Sequence, residues 1–103
     1  MSVQKFWRDA SDRLTFSLNK APAAIYKPLC EAIANNFGLS PHSGLVTDGY
    51  DVIFQDYARG EQIIGMEWDI WSDFTVVANS TQSEPLVQEI GAWLLESEWA
   101  DYY

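Results

Sequence analysis

Residues 50–79 read YDVIFQDYARGEQIIGMEWDIWSDFTVVAN, and the period of their apolar side chains decides the fold. Apolar and polar residues alternate at a period of two, so the segment predicts strands, not a helix. The first strand puts Tyr50, Val52 and Phe54 on one face and Asp51, Ile53, Gln55 and Tyr57 on the other. Ala58 to Glu61 turn the chain around Gly60. The second strand puts Ile64, Met66, Trp68 and Ile70 on one face, with Ile63, Gly65, Glu67, Asp69 and Trp71 opposite. Ser72 and Asp73 form the next turn, and a third strand sets Phe74, Val76 and Ala78 against Thr75, Val77 and Asn79. Three strands joined by two short turns predict an antiparallel meander.

Helical patterns flank the meander. Over residues 22–37, Ile25, Leu29, Ile33 and Phe37 recur four apart and form one apolar stripe. Gly38 and Leu39 then supply the left-handed residue and hydrophobic contact of a Schellman ending. Pro28 cannot donate to residue 24, so this helix starts near 25 or breaks there. Over 84–97, Leu86, Val87, Ile90, Trp93 and Leu94 lean to one side, with Ser83 as N-cap, Glu84 favourable to the helix dipole and Pro85 in the first turn. At the start of the chain, Val3, Phe6, Trp7, Ala10 and Leu14 fall at helical spacing behind Ser2 as N-cap. Leu14, Phe16 and Leu18 then alternate as in a short strand. Residues 40–49 read as a loop, and the tail ESEWADYY as an acidic, aromatic and partly ordered end. The expected fold is a single α+β domain over residues 1–103. It has an antiparallel meander of three or four strands and helices packed mainly on one face.

Composition narrows the function classes. The chain is 48% hydrophobic and 15% aromatic, which suits a packed core and argues against disorder. The net charge is −9 and unevenly placed. Residues 1–40 carry five bases and three acids, whereas residues 41–103 carry Arg59 against twelve acids, a net −11. A field of that sign repels nucleic acid and anionic membranes and attracts a basic partner. Cys30 is the only cysteine, so no internal disulfide forms. With no apolar leader and no run of membrane-spanning length, the expected location is the cytoplasm.

Catalytic constellations are lacking in the sequence. His42 is the only histidine, and its neighbours Ser40 and Ser43 belong to no GxSxG pattern. One histidine and one cysteine do not build a zinc site, and the six glycines form no phosphate loop. The expectation is a protein that is not an enzyme and uses no cofactor or metal.

What stands out is the second strand and its surroundings. Glu67, Asp69 and Trp71 share one face, and like-with-like pairing would add Asp51 and Tyr57, with Asp73 in the adjoining turn. Carboxylates pair with arginines, and large rings anchor interfaces, so this set predicts a docking surface for a basic protein. In size, charge and composition the chain is similar in general type to bacterial immunity proteins. That likeness implies neutralisation of a toxin by covering a basic active site. The alternative is a homodimer or other assembly built on the same face or on a strand edge, and after it an enzyme or small-molecule binder.

Overall fold

The computed structural model describes residues 6–49 and 51–103. It is α+β, with seven antiparallel strands and two α-helices. The strands are β1 (Phe6–Arg8), β2 (Leu14–Leu18), β3 (Ser40–Pro41), β4 (Val46–Thr47), β5 (Val52–Arg59), β6 (Gln62–Asp69) and β7 (Asp73–Ala78). The helices are α1 (Tyr26–Phe37) and α2 (Glu84–Leu95). The sheet runs β1-β2-β7-β6-β5-β3, and β4 also pairs with β5. The meander is therefore β5-β6-β7, extended by β2 and β1 on one side and by β3 and β4 on the other.

The β5–β6 turn fixes which side chains share a face. Arg59 pairs with Gln62, leaving Gly60 and Glu61 as a two-residue loop. Gly60 has φ 61°, the positive value that a type II′ turn requires at its first position. Odd-numbered residues of β5 then lie opposite even-numbered residues of β6: Ile53 opposite Trp68, Gln55 opposite Met66, Tyr57 opposite Ile64. Across β6–β7 the parities match, with Ile64, Met66 and Trp68 opposite Ala78, Val76 and Phe74. Phe16 and Leu18 continue the row by pairing with Val76 and Phe74. This is the core face, and both helices contribute to it, α1 through Leu29 and Ile33 and α2 through Leu86, Val87, Ile90 and Leu94.

Two hydrogen bonds tie the start of α1 to β6. The Trp68 indole N–H donates to the Ala21 carbonyl at 2.8 Å, and the Tyr26 hydroxyl donates to the Met66 carbonyl. The Pro28 conflict resolves simply. A 3₁₀ turn over Ala23–Ile25 leads into α1, so Pro28 sits in the first helical turn, where no N–H is needed. Gly38 ends α1 at φ 68°, and the Leu39 N–H reaches back to the Ala34 carbonyl as in a Schellman ending.

Several expectations are corrected. The sheet has seven strands among the described residues, not three or four. Residues 6–8 are a strand, not a helix; the proposed N-cap Ser2 and the first stripe residue Val3 lie outside the described residues. The Asp9–Arg13 turn is what defeats the helix. Asp9 Oδ1 accepts from the N–H groups of Ser11 and Arg13, and Asp12 sits at φ 61°. Residues 40–47 are not simply a loop, because Ser40 and Pro41 pair with Ala58 and Tyr57, and Val46 and Thr47 with Phe54 and Ile53. The second strand ends at Asp69, so Ile70 leaves the core face and lies half-exposed in the turn. Ser83 precedes α2, but its hydroxyl accepts from the Ile63 N–H at 2.9 Å and makes no cap bond. The tail is ordered: a 3₁₀ turn over Glu98–Tyr102 folds back, Lys20 N–H donates to the Tyr102 carbonyl, and the Tyr103 ring stacks on Phe16.

At Gly91, α2 lies close against the sheet. A Cβ at this position would lie 2.8 Å from ring carbons of both Phe16 and Phe6. Gly91→Val should therefore lower unfolding stability by about 1–3 kcal/mol through overpacking, although valine is a better helix residue than glycine. Urea denaturation monitored by tryptophan fluorescence measures this, and unchanged stability would show that α2 tolerates displacement.

Candidate functional site

The face opposite the helices carries the candidate site. Its rows follow from the register: Trp7, Thr15, Val77, Gly65 and Asp56 lie side by side, and next to them Ser17, Thr75, Glu67, Phe54 and Val46. The middle of this face is made of small side chains. Thr15 and Val77 are only 1% and 4% exposed although no helix lies over them. Trp7 reaches across from the edge strand, and its indole N–H donates to Ser17 Oγ at 2.8 Å.

Glu67 stands at the centre of the charged part. Gly65 has no side chain, and the space where a Cβ would sit is lined by Glu67 Oε2 at 3.1 Å, Asp56 Oδ1 at 3.4 Å and Asn79 Oδ1 at 3.8 Å. Three oxygens thus converge over one glycine. Burial pushes the Glu67 carboxyl above its ordinary value; nearby Arg13 works against this, and Asp69, Asp56 and Asp9 add to it. Arg13 does not reach Glu67 because it is held by Asp9, with Nη2 to Oδ2 at 2.7 Å. Asp9 itself is held below the ordinary value: burial acts upward, but hydrogen bonds from Arg13 and from the Ser11 N–H outweigh it.

The six residues expected to form the surface divide into three groups. Glu67 lies on the outer face as expected. Asp69, Trp71, Asp73 and Asp51 gather at one end of the sheet, around the β6–β7 turn. Asp69 pairs with Asp73, and the Ile70 N–H donates to the Asp51 carbonyl. Asp69 has a structural task here, since its Oδ1 accepts from the Trp71 and Ser72 N–H groups and shapes the turn. Asp73 closes the turn at φ 55°. Trp71 at the tip is 78% exposed, and Ile70 beside it is 49% exposed.

Tyr57 is a correction. It is buried on the core face opposite Ile64, with its hydroxyl donating to Gln55 Oε1, so it does not share a face with Glu67. Asp51 and Gln55 follow the same parity. The like-with-like pairing assumed from the sequence is shifted by one residue, which exchanges faces. The residues that do adjoin Glu67 are Asp56, Phe54 and Thr75. Their signal was present in the two-residue loop at Gly60-Glu61, which sets the parity of the pairing.

Among the described residues no cation lies within ion-pair distance of Asp51, Glu67, Asp69 or Asp73; the ion pairs join Arg8 to Asp12 and Glu84, Arg13 to Asp9, and Arg59 to Glu89. No group of three or more His, Cys, Asp or Glu among these residues is placed to hold a metal ion, and no helix is long and apolar enough to cross a membrane. Comparison with protein-family models, with curated proteins and with solved structures gives no match.

The raised Glu67 carboxyl has a pH consequence. A folded-state value above the unfolded one makes the contribution of Glu67 fully favourable below the unfolded value, and that contribution is lost as pH rises through the folded one. Glu67→Gln mimics the protonated acid. The variant should therefore be more stable than the wild type near pH 7, with the gain shrinking to nothing towards about pH 4. Paired thermal melts across this range measure it, and a pH-independent difference would remove Glu67 as a titrating destabiliser.

Proposed function

We propose that the chain is a small acidic protein-binding module without catalytic activity, which docks a basic protein through the β6–β7 turn and the adjoining outer sheet face. The observation that carries this reading is Trp71. A tryptophan 78% exposed at a turn tip, beside half-exposed Ile70, is a large apolar group left in water at some cost. Burial of such a ring in a partner's pocket is the usual source of interface energy. Around it stand the carboxylates of Asp69 and Asp73, with Asp51 tied to the same turn through its backbone carbonyl and Glu67 further along the outer face. An aromatic anchor ringed by uncompensated acids complements a cationic surface and steers its approach.

An immunity-type role is the specific form of this reading. Carboxylates at the spacing of a charged face occupy the positions that phosphates or other anions would take in a basic active site, and the bound module blocks access to it.

The test is affinity capture at low and moderate salt followed by variants in the purified complex. Trp71→Ala should weaken binding by about tenfold or more. Asp51→Lys with Glu67→Lys should weaken it further and flatten its salt dependence. Asp69 is left intact because it holds the turn. A basic partner that binds both variants as tightly as the wild type would overturn the assignment of this surface, and capture of the chain's own copies alone would replace it with self-assembly.

A further inference from the structure

A second feature lies on the opposite side of the sheet and is independent of the docking surface. Between the first turns of α1 and strand β5 is a cavity of about 310 Å³. Its walls are Tyr26 and Cys30 from the helix and Ile53 and Tyr57 from the strand. This volume is at the small end for ligand sites and suits one ring with a short side chain.

Three observations say what kind of ligand fits. First, most of the lining is apolar, and two tyrosine rings bound it, which favours a flat apolar body. Second, Leu45 stands at the edge of the cavity and is 59% exposed, an apolar side chain with a hydrophobic ligand surface to cover. Third, Lys27 lies at the rim. The three arginines are each engaged in an ion pair, whereas Lys27 has none among the described residues. An unengaged cation at the edge of an apolar cavity, in a chain of net charge −9, is the natural partner of a single anionic group. Glu31 shares the rim and opposes a doubly charged head group.

We propose that this cavity binds a small aromatic carboxylate, with its ring between Tyr26, Ile53 and Tyr57 and its carboxylate at Lys27. On the strand side the Tyr57 hydroxyl and the Gln55 amide point donors at other protein groups, so the carboxylate is recognised at Lys27. Both are already oriented, the hydroxyl towards Gln55 Oε1 and the amide nitrogen towards the Ser43 carbonyl at 2.9 Å. No covalent step is involved.

The experiment is a ¹H–¹⁵N NMR titration of the whole chain with three probes of one shape: 3-phenylpropionate, 3-phenylpropanamide and 3-phenylpropylamine. The expected result is saturable binding of the carboxylate, with shifts concentrated at Tyr26, Cys30, Leu45, Ile53 and Tyr57. The amide should bind about tenfold more weakly, and the amine more weakly still. Lys27→Gln, on an exposed helix position, should keep the spectrum of the folded protein, reduce the carboxylate to the affinity of the amide and leave the amide unchanged. Preference for the amine, equal binding of carboxylate and amide, shifts centred elsewhere or no saturable shifts would each overturn the proposal.

Discussion

The two-residue turn at Gly60-Glu61 is the constraint on which the rest of the molecule depends. It locks β5 against β6 in one register, and with side chains alternating every residue, that register decides the address of every group on three strands. Ile53 and Tyr57 join Ile64, Met66 and Trp68 on the helix side only because Arg59 faces Gln62. The same choice puts Tyr57 in the wall of a cavity and Asp56 beside Glu67. Moving the turn by one position would turn β5 over relative to β6, bringing Val52, Phe54 and Asp56 to the helix side and Tyr57 beside Glu67. The hydrogen bonds of Trp68 and Tyr26 to Ala21 and Met66 then fasten the helix layer to the face so selected.

The larger pattern was legible in the sequence because it rests on local periodicity. Alternation over 50–79, the four-residue stripe of α1 and the Gly38 ending are properties of short windows. What was not legible depended on turn chemistry or on distant partners. Phe6 and Trp7 fit a helical stripe, but the Asx turn at Asp9 and the left-handed Asp12 reverse the chain, and Phe6 becomes the partner of Phe16. Ser40 and Pro41 have little strand character, and Val46 and Thr47 are too short a β-branched run to show an alternation of their own; both pairs are strands because β5 offers its edge. For the candidate surface, the outward facing of Glu67 follows from alternation within β6 alone, whereas the inward facing of Tyr57 depends on the length of the loop that sets pairing parity and not on the strands.

Charge is arranged with some economy. The few arginines are committed to their own neighbours, to Asp9 and Asp12 near the first turn and to Glu84 and Glu89 on α2. Among the described residues, Asp51, Glu67, Asp69 and Asp73 of the meander join none of these ion pairs. Glu67 remains half-buried among other carboxylates, where an uncharged residue would cost less, and the turn carries a tryptophan where a polar residue would be easier to solvate. Both choices oppose stability locally. Selection for folding alone would not favour either, which is the pattern expected of surface kept for contact with something else.

The single thiol gives the molecule a clock. Cys30 sits on the inner side of α1, buried, and burial pushes its ionisation up to about 12, so in the closed fold it is both shielded and poorly nucleophilic. Its side chain also walls the cavity between α1 and β5, so an alkylating reagent reaches it through that opening or when the helix lifts. The rate of its modification therefore reports how open this one side of α1 is, with no second thiol in the chain to confuse the reading.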